Sequence, residues 1–222
     1  MKPTSDLIHV YFIPGMAAGK EIFKYISLPE DRFKVHIIEW LIPEKKETLE
    51  HYAARMAALV QEEHPVLVGV SFGGVVAQEM SRYLNPRKTI IISSVKSKYE
   101  LPWRLRILRK TRAYKLAPTR VIAQTTDYRK LAFNDFMRKK LSLYNQYLQV
   151  KNPRYLEWAI QQMVCWDRKE IDEQVIHIHG DRDPVFPIQY IQNSIPVAGA
   201  THVLILSKAK WLNKKLPKLI LS

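Results

Sequence analysis

Short apolar runs alternate with helically spaced apolar stripes over residues 1–95. Leu7-Ile8-His9-Val10-Tyr11-Phe12-Ile13 reads as a buried strand, ended by Pro14-Gly15. Met16 to Ile26 predicts a short helix carrying Ile22, Phe23 and Ile26. Phe33 to Trp40 predicts a second strand. Leu49, Tyr52, Met56, Leu59 and Val60 then share one face of a helix from about Thr48 to Glu63. Val66 to Val70 is a third strand, and Val75, Val76, Met80, Tyr83 and Leu84 recur at roughly helical spacing after it. Thr89 to Ser93 is a fourth.

The alternation then stops. Residues 96–165 contain no convincing strand and read as a helical insertion. Leu101, Leu105 and Leu108 are helically spaced, as are Phe133, Met137, Leu141, Tyr144 and Leu148. Tyr155, Ala159 and Met163 mark a third helix beginning near Pro153. Gln174 to His179 resumes the sheet as a fifth strand, a short strand falls near Ser194 to Ala198, and Val203 to Leu216 is a basic helix. Strands alternating with helices predict an α/β protein: about six strands, mostly parallel, covered on both faces. The expected organisation is a single domain, 1–222, with a core of 1–95 and 166–222 and a helical cap at about 96–165.

Composition narrows the class. Apolar residues make up 47% of the 222, enough for a full core. No apolar run is long enough to span a bilayer. Met1 to Asp6 lacks the form of a secretory signal, so the chain reads as cytoplasmic and soluble. Cys165 is the only cysteine, which excludes an intrachain disulfide and a cysteine metal cluster. The net charge of +14 is regional: 96–140 holds fourteen Lys/Arg against Glu100, Asp127 and Asp135. The tail adds Lys208, Lys210, Lys214, Lys215 and Lys218 with no acid after Asp183. Such an excess fits an anionic partner, an anionic substrate or a solvated basic face.

The chemistry concentrates where the third strand ends, at Gly69-Val70-Ser71-Phe72-Gly73. A sharp turn between strand and helix pushes a serine hydroxyl into a cleft, and side chains two residues either side would crowd it. The helix that follows aims N-terminal N–H groups at the same place. The alternative is a glycine-rich turn with an incidental serine. This stretch resembles the nucleophile elbow of the α/β-hydrolases.

The resemblance extends over nearly the whole chain and implies a compact member beginning near the family's third strand. It implies the order nucleophile, acid, histidine, which Ser71, Asp183 and His202 match, each just after a strand. His179-Gly180-Asp181-Arg182-Asp183-Pro184 carries the acid, with Asp181 as rival; the motif position favours Asp183, and a turn carboxylate is the other role open to either. His202 follows a Gly-containing loop and opens the last helix. His9, His36, His177 and His179 lie in or beside strands and His51 and His64 in or near a helix, where packed or solvated roles are commoner. His177 and His179 share a strand face, but no carboxylate or Cys spacing supports a metal site there. The implied oxyanion-hole donors are the backbone N–H groups of Phe72 and Met16, with Ala17 the alternative to Met16. Two departures stand out: Pro14-Gly15 replaces His-Gly, and Val70 replaces His before the serine.

The implied function is a serine hydrolase acting on a carboxylic ester or thioester through an acyl-Ser71 intermediate, with no metal or organic cofactor. Serine at position 71 argues against relatives with a carboxylate nucleophile. The alternatives are a non-catalytic binding protein of the same fold and a thioesterase acting on acyl groups carried by CoA or an acidic partner. Trp103, Phe133, Phe136, Tyr144, Tyr147 and Trp158 could line an acyl pocket or form the cap's own core. The basic stretch Arg104 to Arg112 is first a solvated face; it also suits acidic lipid headgroups or an anionic carrier. No nucleic-acid-binding motif accompanies the charge.

Overall fold

A computed structural model describes residues 7–117, Thr119, Tyr147 and 149–222. Six strands form one parallel sheet: β1 (Ile8–Ile13), β2 (Phe33–Ile37), β3 (Val66–Val70), β4 (Lys88–Ile92), β5 (Ile176–Gly180) and β6 (Ile195–Val197). Their order is β2-β1-β3-β4-β5-β6. The helices are α1 (Leu49–Ala57), α2 (Phe72–Met80), α3 (Trp103–Thr111), α4 (Pro153–Cys165), α5 (Leu204–Ser207) and α6 (Ala209–Leu221).

Alternate residues of each strand feed opposite faces, so the sheet carries two cores. Tyr11, Ile13 and Leu67 pack with Tyr52 and Met56 of α1, Val76 of α2 and Tyr155 of α4. Val10, Phe12, Val66, Val68 and Ile90 pack on the other side with Leu212, Leu216 and Ile220 of α6. All five residues of β3 are buried, as a central strand covered on both faces requires. β2 and β6 are the edge strands, and Val35 and Ile37 of β2 are exposed.

Several predicted boundaries shift for identifiable reasons. The stripe assigned to a helix as far as Glu63 leaves α1 after Ala57. Leu59 N–H donates to the Met56 carbonyl and Val60 N–H to Ala57, a tighter turn that rotates Leu59 outward to 47% exposure. The same thing ends α2: Tyr83 N–H donates to the Met80 carbonyl, and Tyr83 is 46% exposed. Between Met16 and Ile26 only Lys20–Phe23 is helical, as a 3₁₀ turn. β2 stops at Ile37 rather than Trp40. The tail divides at Lys208 into α5 and α6, and α6 runs past Pro217 to Leu221.

Of the expected cap, α3 begins after Pro102 and buries none of its residues, whereas Leu101 just before it is buried. α4 buries Tyr155, Ala159 and Met163 as the spacing predicts, and Asn152 caps it by accepting from the Tyr155 N–H. The stripe Phe133 to Leu148 lies outside the described residues.

Parallel strands deliver their C-terminal ends to one edge. There α2 is pressed against the loop after β1: a Cβ on Gly73 would collide with the carbonyl oxygens of Pro14 and Ile13. Those are backbone atoms of the sheet and cannot yield cheaply. Gly73→Ala should cost about 1–3 kcal/mol or more, lowering Tm by several degrees. Thermal unfolding of the variant checks this, and an unchanged Tm would contradict the close approach.

Candidate active site

Ser71 is the N-cap of α2 with φ 53° and ψ −121°, a conformation that L-residues rarely adopt. The turn is held on every side. Ser71 N–H donates to the Ile92 carbonyl of β4 at 2.9 Å. Its own carbonyl accepts from the Ser94 hydroxyl at 2.7 Å and the Gly74 N–H at 2.9 Å. A side chain on Gly69 would strike the Gly73 carbonyl.

The loop after β1 lies alongside. A Cβ built on Gly15 would stand 3.6 Å from the Ser71 Cβ. The Gly15 carbonyl accepts from the Trp40 indole N–H at 3.0 Å and from the Ala18 N–H at 3.0 Å. Met16 is partly buried against the cluster that contains Trp40 and Phe72, and Ala17 has φ 62°. Phe72 is the first residue of α2, where a backbone N–H has no intrahelical acceptor. Phe72 thus follows Ser71 at the start of α2, and the loop carrying Gly15 and Met16 lies beside it.

His202 Nε2 is 3.0 Å from Ser71 Oγ, and its Nδ1 is 2.8 Å from Asp183 Oδ2. A carboxylate only accepts, so Nδ1 carries the proton and Nε2 offers its lone pair to the serine hydroxyl. The Phe186 ring meets the imidazole edge-on at 5.5 Å. Asp183 is buried, and its Oδ1 accepts the Val185 and Phe186 N–H groups at 2.7 and 3.0 Å. The rival Asp181 is exposed and lies outside this array.

Residues not assigned to the site from the sequence support the array. Ser94 fixes the Ser71 carbonyl. Arg104 of α3 donates to the Pro184 and Val185 carbonyls, bracing the loop that carries Asp183. His179 Nε2 donates to the Phe186 carbonyl at 2.8 Å, and its Nδ1 accepts from His177 Nε2 at 3.0 Å. The two histidines thus bond to each other instead of converging on a third point. Burial holds both below the ordinary histidine range, His177 far below it. Period-two spacing set His177 and His179 side by side, but no spacing announces the contacts of Ser94, Arg104 or His179 with the loops of the site.

Of the aromatic candidates, Trp158 is buried, 5.9 Å edge-on from Phe72, and donates to the Glu47 carbonyl at 2.8 Å. Tyr147 is buried in the other core, and Trp103 is 60% exposed. Phe133, Phe136 and Tyr144 lie outside the described residues. Among the described residues, no helix is long and apolar enough to cross a membrane. Two groups there bring metal-ligating atoms within 4.8 Å of one another: His9, His36 and Glu62, and Glu44, Glu47 and His51. Neither includes Ser71, Asp183 or His202.

A family model described as the alpha/beta hydrolase family matches residues 10–214. No curated protein matches the chain in sequence. Solved structures do in fold. The enol-lactonase from Burkholderia xenovorans LB400 is 11% identical with a TM-score of 0.70, the match covering 100% of this chain and 94% of that one. A bromoperoxidase from Bacillus anthracis is 17% identical with a TM-score of 0.67, covering 97% and 92%. An esterase from Exiguobacterium antarcticum is 15% identical with a TM-score of 0.65, covering 97% and 92%. At such identities these likenesses establish the fold.

The buried histidine pair has a consequence for acid stability. Unfolding exposes His177 and His179 to water, where they take up protons below about pH 6.5. The folded state resists that uptake because both sit below the ordinary range. More protons bound by the unfolded state means stability falls as pH drops through that window, by up to about 1.4 kcal/mol per pH unit for each histidine. Tm should decline from pH 6.5 to 5, and His177→Leu should flatten the decline. An equal slope in the variant would show that His177 is not held neutral.

Proposed function

The chain belongs to the α/β-hydrolase family, and from that premise we propose that it is a serine hydrolase cleaving a carboxylic ester or thioester. The observation that carries this reading is the imidazole of His202, 3.0 Å from the Ser71 hydroxyl and 2.8 Å from a buried carboxylate. A serine hydroxyl is a weak nucleophile until a base takes its proton, and an imidazole suits the task near neutral pH.

His202 Nε2 takes the Ser71 proton as Oγ adds to the acyl carbon. The carbonyl oxygen becomes an oxyanion, received by the backbone N–H groups of Phe72, at the start of α2, and Met16, in the loop after β1. Asp183 stabilises the imidazolium and keeps Nδ1 protonated. The intermediate collapses, the proton passes from Nε2 to the departing alcohol or thiol, and an acyl-Ser71 ester remains. Water then adds to that ester with His202 again accepting a proton. Breakdown returns the proton to Ser71 and releases the carboxylic acid. The polar partners of Asp183 support this sequence because they meet its lone pairs and hold one carboxylate oxygen facing His202 Nδ1.

The exposed basic side chains of α3, such as Arg106 and Lys110, favour anionic acyl carriers such as acyl-CoA or an acidic protein.

Ser71→Ala should abolish labelling by a fluorophosphonate and lower kcat on p-nitrophenyl esters by roughly 10⁴-fold or more. Asp183→Asn should lower kcat by about 10⁴-fold while the fold persists. A folded wild-type chain that neither reacts with the probe nor turns over any ester or thioester would favour the binding-protein reading. Raising salt from 0.05 to 0.5 M (about a threefold fall in Debye length) should lower kcat/KM for acyl-CoA and spare neutral esters. A salt-insensitive preference for acyl-CoA would remove the electrostatic argument.

A further inference from the structure

We propose that His9, His36 and Glu62 form a binding site for a divalent transition-metal cation of the Zn²⁺ type, separate from the hydrolytic site and clipping the edge of the sheet. His9 lies on β1 and His36 on β2, and Glu62 lies in the loop leading to β3. His9 Nδ1 is 3.0 Å from His36 Nε2 and 2.9 Å from Glu62 Oε1.

One nitrogen facing two such atoms is poorly served by a proton. If His9 Nδ1 carries the hydrogen, a single N–H divides between two acceptors; if it does not, its lone pair confronts a carboxylate. A cation bonded to all three satisfies each lone pair at once. Donors around tetrahedral zinc stand roughly 3.3 Å apart, given bonds of about 2.0–2.1 Å. The observed spacings therefore need to open by only a few tenths of an ångström.

The surroundings match a ligand set. The Tyr11 hydroxyl donates to the other oxygen of Glu62, orienting the carboxylate as outer-shell partners of metal ligands do. His36 stacks on Tyr11 at 4.4 Å and on His9 at 5.1 Å, which fixes both rings.

The second His/Glu group differs. There Glu47 already receives two bonds from Arg55, at 3.0 and 2.9 Å, so a cation is supplied by the chain. Among the described residues Glu62 has no Lys or Arg in ion-pair contact. Two imidazoles and one carboxylate suit Zn²⁺, Co²⁺ or Ni²⁺ in preference to Mg²⁺ or Ca²⁺, which take all-oxygen sets. A groove of about 620 Å³ lined by Tyr11, His36, Glu62 and Trp40 leaves room for water as a fourth ligand.

The test uses tag-free full-length protein freed of metal by chelation. Calorimetric titration with ZnCl₂ should give one site per chain and a raised Tm, and Co²⁺ should develop visible d–d absorption. Glu62→Gln, which preserves shape, and His36→Ala should each weaken binding by more than the roughly 10- to 100-fold loss typical of an outer-shell partner. Tyr11→Phe should fall within that range. Circular dichroism establishes that each variant is folded, and the wild-type titration stands whatever the variants do. Absence of Zn²⁺ binding by wild type, or binding that survives in folded Glu62→Gln and His36→Ala but is lost in His51→Ala, would overturn the assignment.

Discussion

The backbone at Ser71, at φ 53° and ψ −121°, stands in a region that costs of order 1–3 kcal/mol and persists only where neighbours over-determine it. Three strands supply those neighbours. β4 accepts the Ser71 N–H through Ile92 and sends on Ser94 to hold the Ser71 carbonyl. β1 sends on Pro14 and Gly15, whose backbone lies against Gly73 and Ser71. β3 delivers the turn itself. Parallel pairing of β1, β3 and β4 makes these contacts coincide, so the strain is supported by the sheet as a whole.

The acid side of the site is built on a different balance. Burying a carboxylate is costly unless its lone pairs are met. Asp183 meets that requirement with the Val185 and Phe186 N–H groups on one oxygen and His202 on the other. The loop providing those N–H groups is braced in turn by Arg104 from outside and His179 from within, through the carbonyls of Pro184, Val185 and Phe186. A helix with no buried residue can thus matter to the site through one guanidinium.

Much of this was legible along the chain. Short runs rich in apolar and β-branched residues marked the strands, most plainly β3, because a central parallel strand must be apolar on both faces. Ser71 stood out because its flanking glycines mark a tight strand-to-helix turn, and Asp183 stood out only through its place in the motif that the family resemblance implies. Helix ends were not legible: a 3₁₀ turn continues an apolar stripe while rotating Leu59 and Tyr83 into water. Nor were partners contributed across the sheet. His9 and Tyr11 share a face by period-two alternation, but the register that sets Tyr11 against His36 is a property of strand pairing. His9 and His36 lie 27 positions apart, a separation that does not announce their contact.

β1 links the two chemistries described here. Its C-terminal end enters the loop beside Ser71, while His9 and Tyr11 lie further back along the same strand. β2 has a single neighbour, β1, and an outer face that is partly exposed, so it is the least supported strand of the five-residue set. Yet Trp40, three residues beyond its end, donates to the Gly15 carbonyl and packs on Phe72 at 5.6 Å. The placement of the edge strand therefore bears directly on the loop proposed to receive the oxyanion. A cation shared by His9 and His36 would fix β2 against β1 at the register position from which that indole is aimed. The sheet edge would then hold its alignment without a larger apolar surface, which the exposed Val35 and Ile37 do not supply.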